Sequence, residues 1–319
     1  AARYCKNDLC SEIVYEFPEL QGIMGGKYLK NEGFSEDVCL AVAEHYLPSF
    51  YKDALPSSKY GAIVSIADKI ETLISIFISG KRPSGSSDPY ALRRNLNGVI
   101  KIIWDYEFEF PLDNLFNELI DFWKITFPDL NFSKEKVSND LKEFLVQRIV
   151  SHLEEISLSK ELIKAVCSND EFSQKRILNI VDLKNRIKSI IGFKEKETFL
   201  EIQKVITRVS KLANRSNLSI DILKTGDFIN TKLFEKECEF KVFEFIIELE
   251  KLFSKDDCNY LKLLNLFEIN INTIEDLFDN ERGVLVMTDE IEIRNNRLNM
   301  LSLIRNYSLK IADFTLLNS

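Results

Sequence analysis

Apolar residues recur at intervals of three and four along much of the chain, the period of helices that bury one face. Ile66, Ile70, Leu73, Ile74 and Phe77 form one such stripe and predict a helix that stops near Gly80. The next helix is expected to begin at Asp88-Pro89, with Asp88 as cap and Pro89 in the first helical position, where its missing N–H is no loss. Its inner face is predicted to be Leu92, Leu96, Val99 and Ile103. Cys238, Val242, Phe245, Leu249 and Phe253 mark another helix, and Leu298, Leu301, Ile304 and Ile311 a strongly apolar last one. The short run 284–287 is either extended or the edge of a loop. No internal repeat or low-complexity tract is present, which disfavours a solenoid.

Composition supports the helical reading. Among 319 residues there are only 11 glycines and 7 prolines, about half the usual share. A many-stranded sandwich or barrel needs a turn every ~8–12 residues, so an all-α fold is the better expectation. The length predicts two domains at ~100–200 residues each, with a 45% hydrophobic content that suffices for separate cores. Three stretches differ in character. Residues 1–110 hold eight of the glycines and five of the prolines, residues 111–190 read as helical hairpin material, and residues 191–319 carry long amphipathic runs. The strongly apolar runs 62–67 and 73–78 fall far short of the ~20 residues that span a bilayer. No membrane partner is therefore expected. The chain lacks an initiator Met and reads as part of a longer protein.

Charge changes the picture locally. The net charge is −8, which argues against wholesale electrostatic binding of nucleic acid. Yet residues 175–215 contain eleven basic and four acidic side chains, and the last helix carries Arg294, Arg297, Arg305 and Lys310. Such residues beside an apolar helical face suit phosphate contact, or are simply solvated faces. The six cysteines, Cys5, Cys10, Cys39, Cys167, Cys238 and Cys258, form no CxxC pair and read as reduced, mostly buried thiols of a cytosolic protein. With only His45 and His152 present, catalysis by a histidine cluster is nearly excluded. His45 itself is expected to be packed at a surface edge.

Two motifs bear on chemistry. GIMGGKY (22–28) misses the phosphate-binding P-loop spacing by one residue and has Tyr28 where a hydroxyl must meet magnesium, so it is expected to be a glycine-rich turn. The loop 79–94 sets Lys81, Arg82, Arg93 and Arg94 against Asp88 alone, with Gly80 and Gly85 free to take positive φ. It either offers guanidinium forks and N–H donors to phosphate or is a rigid turn whose arginines pair locally.

These segments also carry a family resemblance. EFPELQGIMGGKY (16–28), EHYLPSF (44–50), ADKIETLISIF (67–77) and SGKRPSGSSDPYALRR (79–94) closely resemble the beta subunit of the tetrameric, bacterial-type glycyl-tRNA synthetase. So do FLVQRI (144–149), ITRVSKLANRS (206–216), LFEKECE (233–239) and DLFDNERGVLVMTDEIEIRNNRLNMLSLI (276–304). The resemblance places the chain in the C-terminal half of that subunit. It implies an HD-like helical domain over 1–110, a helical linker region over 111–190 and a DALR-type anticodon-binding domain over 191–319.

HD enzymes hold a metal for phosphohydrolysis through an H…HD…D pattern. Here Asn7 stands where a histidine is expected, Asp8 is the following acid, and Asp68 matches the last Asp. The resemblance thus implies a degenerate site and no bound metal. The DALR signature falls at Glu292-Ile293-Arg294, with isoleucine or glutamate in place of the small and acidic residues of the pattern. Arg208, Lys211, Arg294, Asn296 and Arg297 are the expected anticodon contacts, since unstacked bases are read by planar and flexible donors. Lys81, Arg82, Arg93 and Arg94 are the expected contacts to the acceptor arm or phosphate.

By the same resemblance the protein is cytoplasmic, its partners are tRNA-Gly and an alpha subunit in an alpha2beta2 enzyme, and no cofactor belongs to this chain. ATP and magnesium are expected on the alpha subunit, which activates glycine and charges the tRNA. No catalytic residue for that chemistry is found in this sequence. The alternatives are an HD-type metal-dependent phosphohydrolase and a noncatalytic helical scaffold that docks the alpha subunit.

Overall fold

Helices build every regular element of the described residues, as the apolar period predicts, and strand pairing among them is limited to one isolated bridge, Ser84 with Ser87. The computed structural model describes the chain except residues 86, 168–176, 254–258 and 318–319. Ser86 of the basic loop, Lys175 and Arg176 of the basic stretch, and Cys258 lie outside the described residues.

The chain divides into two units rather than three stretches: Ala1–Ser157 with Leu178–Val181, and Leu158–Ile177 with Asp182–Ser319. The first contains α1 (Glu12–Glu16), α2 (Ile23–Asn31), α3 (Glu36–Ala43), α4 (Lys59–Ile78), α5 (Leu92–Tyr106), α6 (Leu112–Thr126) and α7 (Lys134–Glu155). Residues 112–155, expected as a linker region, belong to this unit because α6 packs on α4 and α7, and α7 packs on α4 and α5. Phe144 of α7 lies 5.5 Å from Phe77 of α4, ring centre to ring centre. The expected stripe on α4 is wholly buried, and the helix ends at Ser79 before Gly80, whose φ is +79°.

Asp88 caps α5 from further away than expected. Its carboxylate accepts the N–H groups of Leu92 (2.8 Å) and Arg93 (3.0 Å), so the helix begins at Leu92. A turn closed by the Ala91 N–H on the Asp88 carbonyl takes up Pro89 and Tyr90, and Ala91 adopts φ +54°.

The glycines of 22–28 are also not confined to a turn. Gly22 (φ +79°) precedes α2, whereas Gly25 and Gly26 lie inside it and let α3 approach closely. A Cβ on Gly26 would stand 2.6 Å from the Cys39 carbonyl oxygen.

The second unit contains α8 (Lys160–Val166), α9 (Ile180–Lys194, from Asp182 onward), α10 (Phe199–Ala213), α11 (Glu237–Phe253), α12 (Tyr260–Ile269), α13 (Ile271–Asp276) and α14 (Ile291–Leu309). Helix α14 packs against both α10 and α11, and almost every residue from Asn296 to Ser308 is buried. The run 284–287 is loop and turn, with Val286 buried and Leu285 exposed. Cys5, Cys39 and Cys238 are buried free thiols, Cys167 is half-buried and Cys10 exposed.

Candidate nucleic-acid interface

The outer face of α10 exposes a row of cations, with Glu201 one turn before Lys204 on the same side. Its inner face is Ile202, Val205, Ile206 and Val209, all buried, which turns Lys204, Arg208 and Lys211 to water. Their spacing of four and three residues keeps them on one side of the helix, and Arg215 follows just past its end. None of the four has an ion-pair partner among the described residues. The Arg208 guanidinium carbon lies 4.2 Å from the centre of the Phe278 ring, which steadies a long side chain without using its charge. Lys204, Thr207, Arg208, Lys211 and Thr315 border a concavity of about 390 Å³, with the nearly buried Gln203 at its wall. Exposed cations, hydroxyls and a guanidinium resting on a ring are groups that can hold phosphate oxygens and the edge of an unstacked base.

The expected contacts on α14 have inward tasks. Arg297 is 2% exposed, and its guanidinium donates to Glu239 (2.8 Å), Glu235 (2.6 Å) and the Leu285 carbonyl (3.1 Å). Burial alone would lower its pKa, but the two carboxylates raise it above the ordinary arginine value and keep it charged. Asn296 is also buried, and its side-chain amide pairs in both directions with the backbone of Asn230, at 2.7 and 3.1 Å. Neither side chain is free to meet RNA. Asn296 fastens α14 to the segment before α11, and Arg297 fastens it to that segment and to the first turn of α11. Arg305 is likewise buried, against Asn214, Asn306 and the Leu218 carbonyl. Arg294 is half-buried and donates to the Thr288 carbonyl at 3.3 Å.

In the first unit, the loop 79–94 is braced by its own cations. Arg93 donates to the Gly85 carbonyl (2.9 Å) and reaches that of Ser87 (3.5 Å). Arg82 pairs with Asp140 and lies over Phe77. Lys81 donates to the Tyr90 hydroxyl at 2.6 Å. Gly80 and Gly85 do take positive φ. Arg94 alone of the four expected contacts has no polar partner in the described residues, and its guanidinium lies against the exposed Phe50 ring.

The HD-like positions are committed to the fold. Asp8 is 2% exposed, and one carboxylate oxygen accepts the N–H groups of Gly22 (2.7 Å) and Gly25 (3.2 Å), filling the anion site at the start of α2. Asp68 forms an ion pair with Lys6 at 2.8 Å, and the same ammonium lies 3.2 Å from the Tyr46 hydroxyl. Asn7 is exposed. His45 is fully buried, not at a surface edge, with Nδ1 2.6 Å from the Val42 carbonyl. Burial pushes its pKa down, against the charged form of the ring. The second Asp8 oxygen and His45 Nε2 lack partners. Even so, an ammonium on Asp68 and two amides on Asp8 do not fit a divalent ion, and no group of three metal-binding side chains occurs among the described residues.

Sequence reasoning missed Lys204, Arg215 and Phe278, although the four-three-four spacing of cations from Lys204 to Arg215 was available as a signal.

The glycyl-tRNA synthetase beta subunit family matches residues 1–168. The chain is similar to the glycine–tRNA ligase beta subunit of Gloeothece citriformis, at 35% identity over 318 residues covering 98% of this chain and 44% of the relative. It is 36% identical to that of Trichodesmium erythraeum, with the same coverage, and 36% identical to that of Thermodesulfovibrio yellowstonii, covering 99% of this chain and 43% of the relative. The chain therefore spans less than half the length of these curated relatives. With more than half of its residues matched by the family, the chain belongs to the glycyl-tRNA synthetase beta subunit family.

Proposed function

We propose that this chain supplies tRNA-binding surface to a glycine–tRNA ligase, holding tRNA-Gly while an alpha subunit, with ATP and magnesium, activates glycine and charges the RNA. The observation that carries the reading is the exposed cations of α10 and its end, Lys204, Arg208, Lys211 and Arg215, which have no ion-pair partner among the described residues, on a chain whose net charge is −8. An acidic body repels RNA generally, so one open basic face orients the encounter. In this reading the first unit is the HD-like helical domain and the second the DALR-type anticodon-binding domain. Arg208 and Lys211, joined by Lys204 and Arg215, meet the anticodon arm, and Arg294 is a further contact to it. Asn296 and Arg297 position α14 beneath it. Arg94 and Lys81 face the acceptor arm, while Arg82 and Arg93 hold their loop in shape.

Binding to tRNA-Gly and to the same tRNA with an altered anticodon, at about physiological salt, tests the reading. The natural anticodon is expected to bind more tightly, and Lys204→Ala/Arg208→Ala/Lys211→Ala to remove most of the affinity. Equal binding of both RNAs by the unaltered chain would sink anticodon reading. Full affinity in the triple variant would sink the assignment to α10.

A docking role for the alpha subunit has one observation of its own. A trough of about 740 Å³ in the first unit is lined by Ile66, Ile70, Phe110, Leu115 and Leu119 and rimmed by Glu71, Glu109 and Glu118. Its apolar floor and acidic rim suit a protein segment with basic flanks and repel RNA. Leu119→Asp should weaken capture of the alpha subunit and leave tRNA affinity unchanged; unaltered capture would remove the trough from the interface.

A further inference from the structure

The loop between α3 and α4 is tied down from several sides. The buried ammonium of Lys69, on α4, donates to the carbonyls of Tyr46 (2.9 Å) and Leu47 (3.4 Å), and the Ser65 hydroxyl also donates to Leu47. The Asp53 carboxylate accepts the N–H groups of Ser49 (3.0 Å) and Phe50 (2.8 Å). From α5, Lys101 donates to the carbonyls of Tyr51 (2.8 Å) and Asp53 (2.9 Å). The backbone is fixed, yet the side chain at its tip points to water: Phe50 is 59% exposed. The exposed Arg94 guanidinium carbon lies 5.3 Å from its ring centre.

We propose that Phe50 and Arg94 form a stacking platform for one unpaired nucleotide of the bound RNA, a site that rests on the tRNA-binding reading above. The base lies on the Phe50 ring, and the adjoining phosphate meets the Arg94 guanidinium. An aromatic ring accepts any base through its π face, and a neighbouring cation adds charge attraction to the backbone. A base stacked within a duplex offers no such face, which selects for an unpaired residue. Because Asp53, Lys69 and Lys101 hold the loop in advance, little ordering is left for the moment of binding. On the adjacent Tyr51 the cation is already committed: the Lys101 ammonium lies 5.5 Å from the ring centre and donates to the Tyr51 and Asp53 carbonyls.

The test uses the 319-residue chain and tRNA-Gly transcripts carrying 2-aminopurine at one unpaired position, either in the anticodon loop or at the 3′ end. One of these transcripts is expected to lose fluorescence on binding, as its base stacks. Phe50→Ala should abolish that quenching and weaken binding by about ten- to hundredfold, whereas Phe50→Trp should retain both. Phe50 is largely exposed, so a thermal melt of Phe50→Ala should match that of the unaltered chain. If Lys204→Ala/Arg208→Ala/Lys211→Ala weakens binding while Phe50→Ala binds and quenches normally, the platform is refuted and the tRNA reading stands. If the unaltered chain binds no tRNA, both fall together.

Discussion

Helix α10 sets Lys204, Arg208 and Lys211 on a face that water reaches, whereas α14, packed against it, turns Arg297 and Arg305 inward. Both helices are rich in cations, and their sequences look equally suited to RNA. The difference lies in how much of each helix is covered. α10 is amphipathic and has an outer side to spare. α14 is buried around most of its circumference, so each charge on it must find internal partners. Arg297 finds them in Glu235 and Glu239, and Arg305 in Asn214, Asn306 and a backbone carbonyl. In this chain, the coverage of the helix thus decides whether a guanidinium stays open to water or becomes a structural bolt.

The comparison breaks most visibly at Arg297. Arg297→Ala leaves Glu239, which is fully buried, without its counter-charge. The expected loss is ~3–5 kcal/mol of stability, read as a lower urea midpoint, with any change in tRNA affinity following the loss of fold. A variant of unaltered stability that bound tRNA weakly would make Arg297 a contact residue instead. His152 extends the contrast to a buried group in the first unit. It is 3% exposed and 5.2 Å from Trp104, and burial, reinforced by the charge of Lys101, pushes its pKa down to about 4. The unfolded chain takes up this proton near pH 6.5, before the folded one does. Stability from His152 is therefore complete above ~6.5 and lost as pH falls toward ~4, by ~3 kcal/mol in total. His152→Phe should flatten that part of the stability profile; an unchanged acid slope would show that other groups set it.

The helices were largely legible because burial imposes a period on sequence. The stripes on α4, α5, α11 and α14 all emerge from it, and even Ile311, just past the end of α14, is fully buried. The tasks of the polar residues were not legible in the same way. Arg297 and its acidic partners are 58 and 62 positions apart, and no local pattern pairs them. The expected linker dissolved for the same reason: α6 and α7 are separated from the first helices by ordinary turns, and only packing assigns them to that unit. Asp88 was recognisable as a cap, but its reach across a left-handed Ala91 was not, since few side chains adopt that conformation. Phe50 carries no period at all. An exposed ring becomes informative only once its backbone is seen to be fixed.

The smallest expected effect sharpens the other side of the comparison. Arg208→Ala removes an exposed guanidinium that rests on Phe278 and has no ion-pair partner among the described residues. Its stability should stay within ~0.5 kcal/mol of the unaltered chain, the range usual for surface substitutions. Its signature belongs in the salt dependence of binding. Each tRNA phosphate deprived of its cation should flatten the slope of log affinity against log salt by about 0.7–0.9. Measured from about 50 to 300 mM salt, Arg208→Ala and Lys211→Ala should each flatten the slope by that amount, and the double variant by the sum. Arg305→Met, by contrast, should lower stability and leave the slope alone, because its charge never reaches the surface. Were the slope to change equally for Arg208 and Arg305, helix coverage would not be what separates a binding group from a bolt.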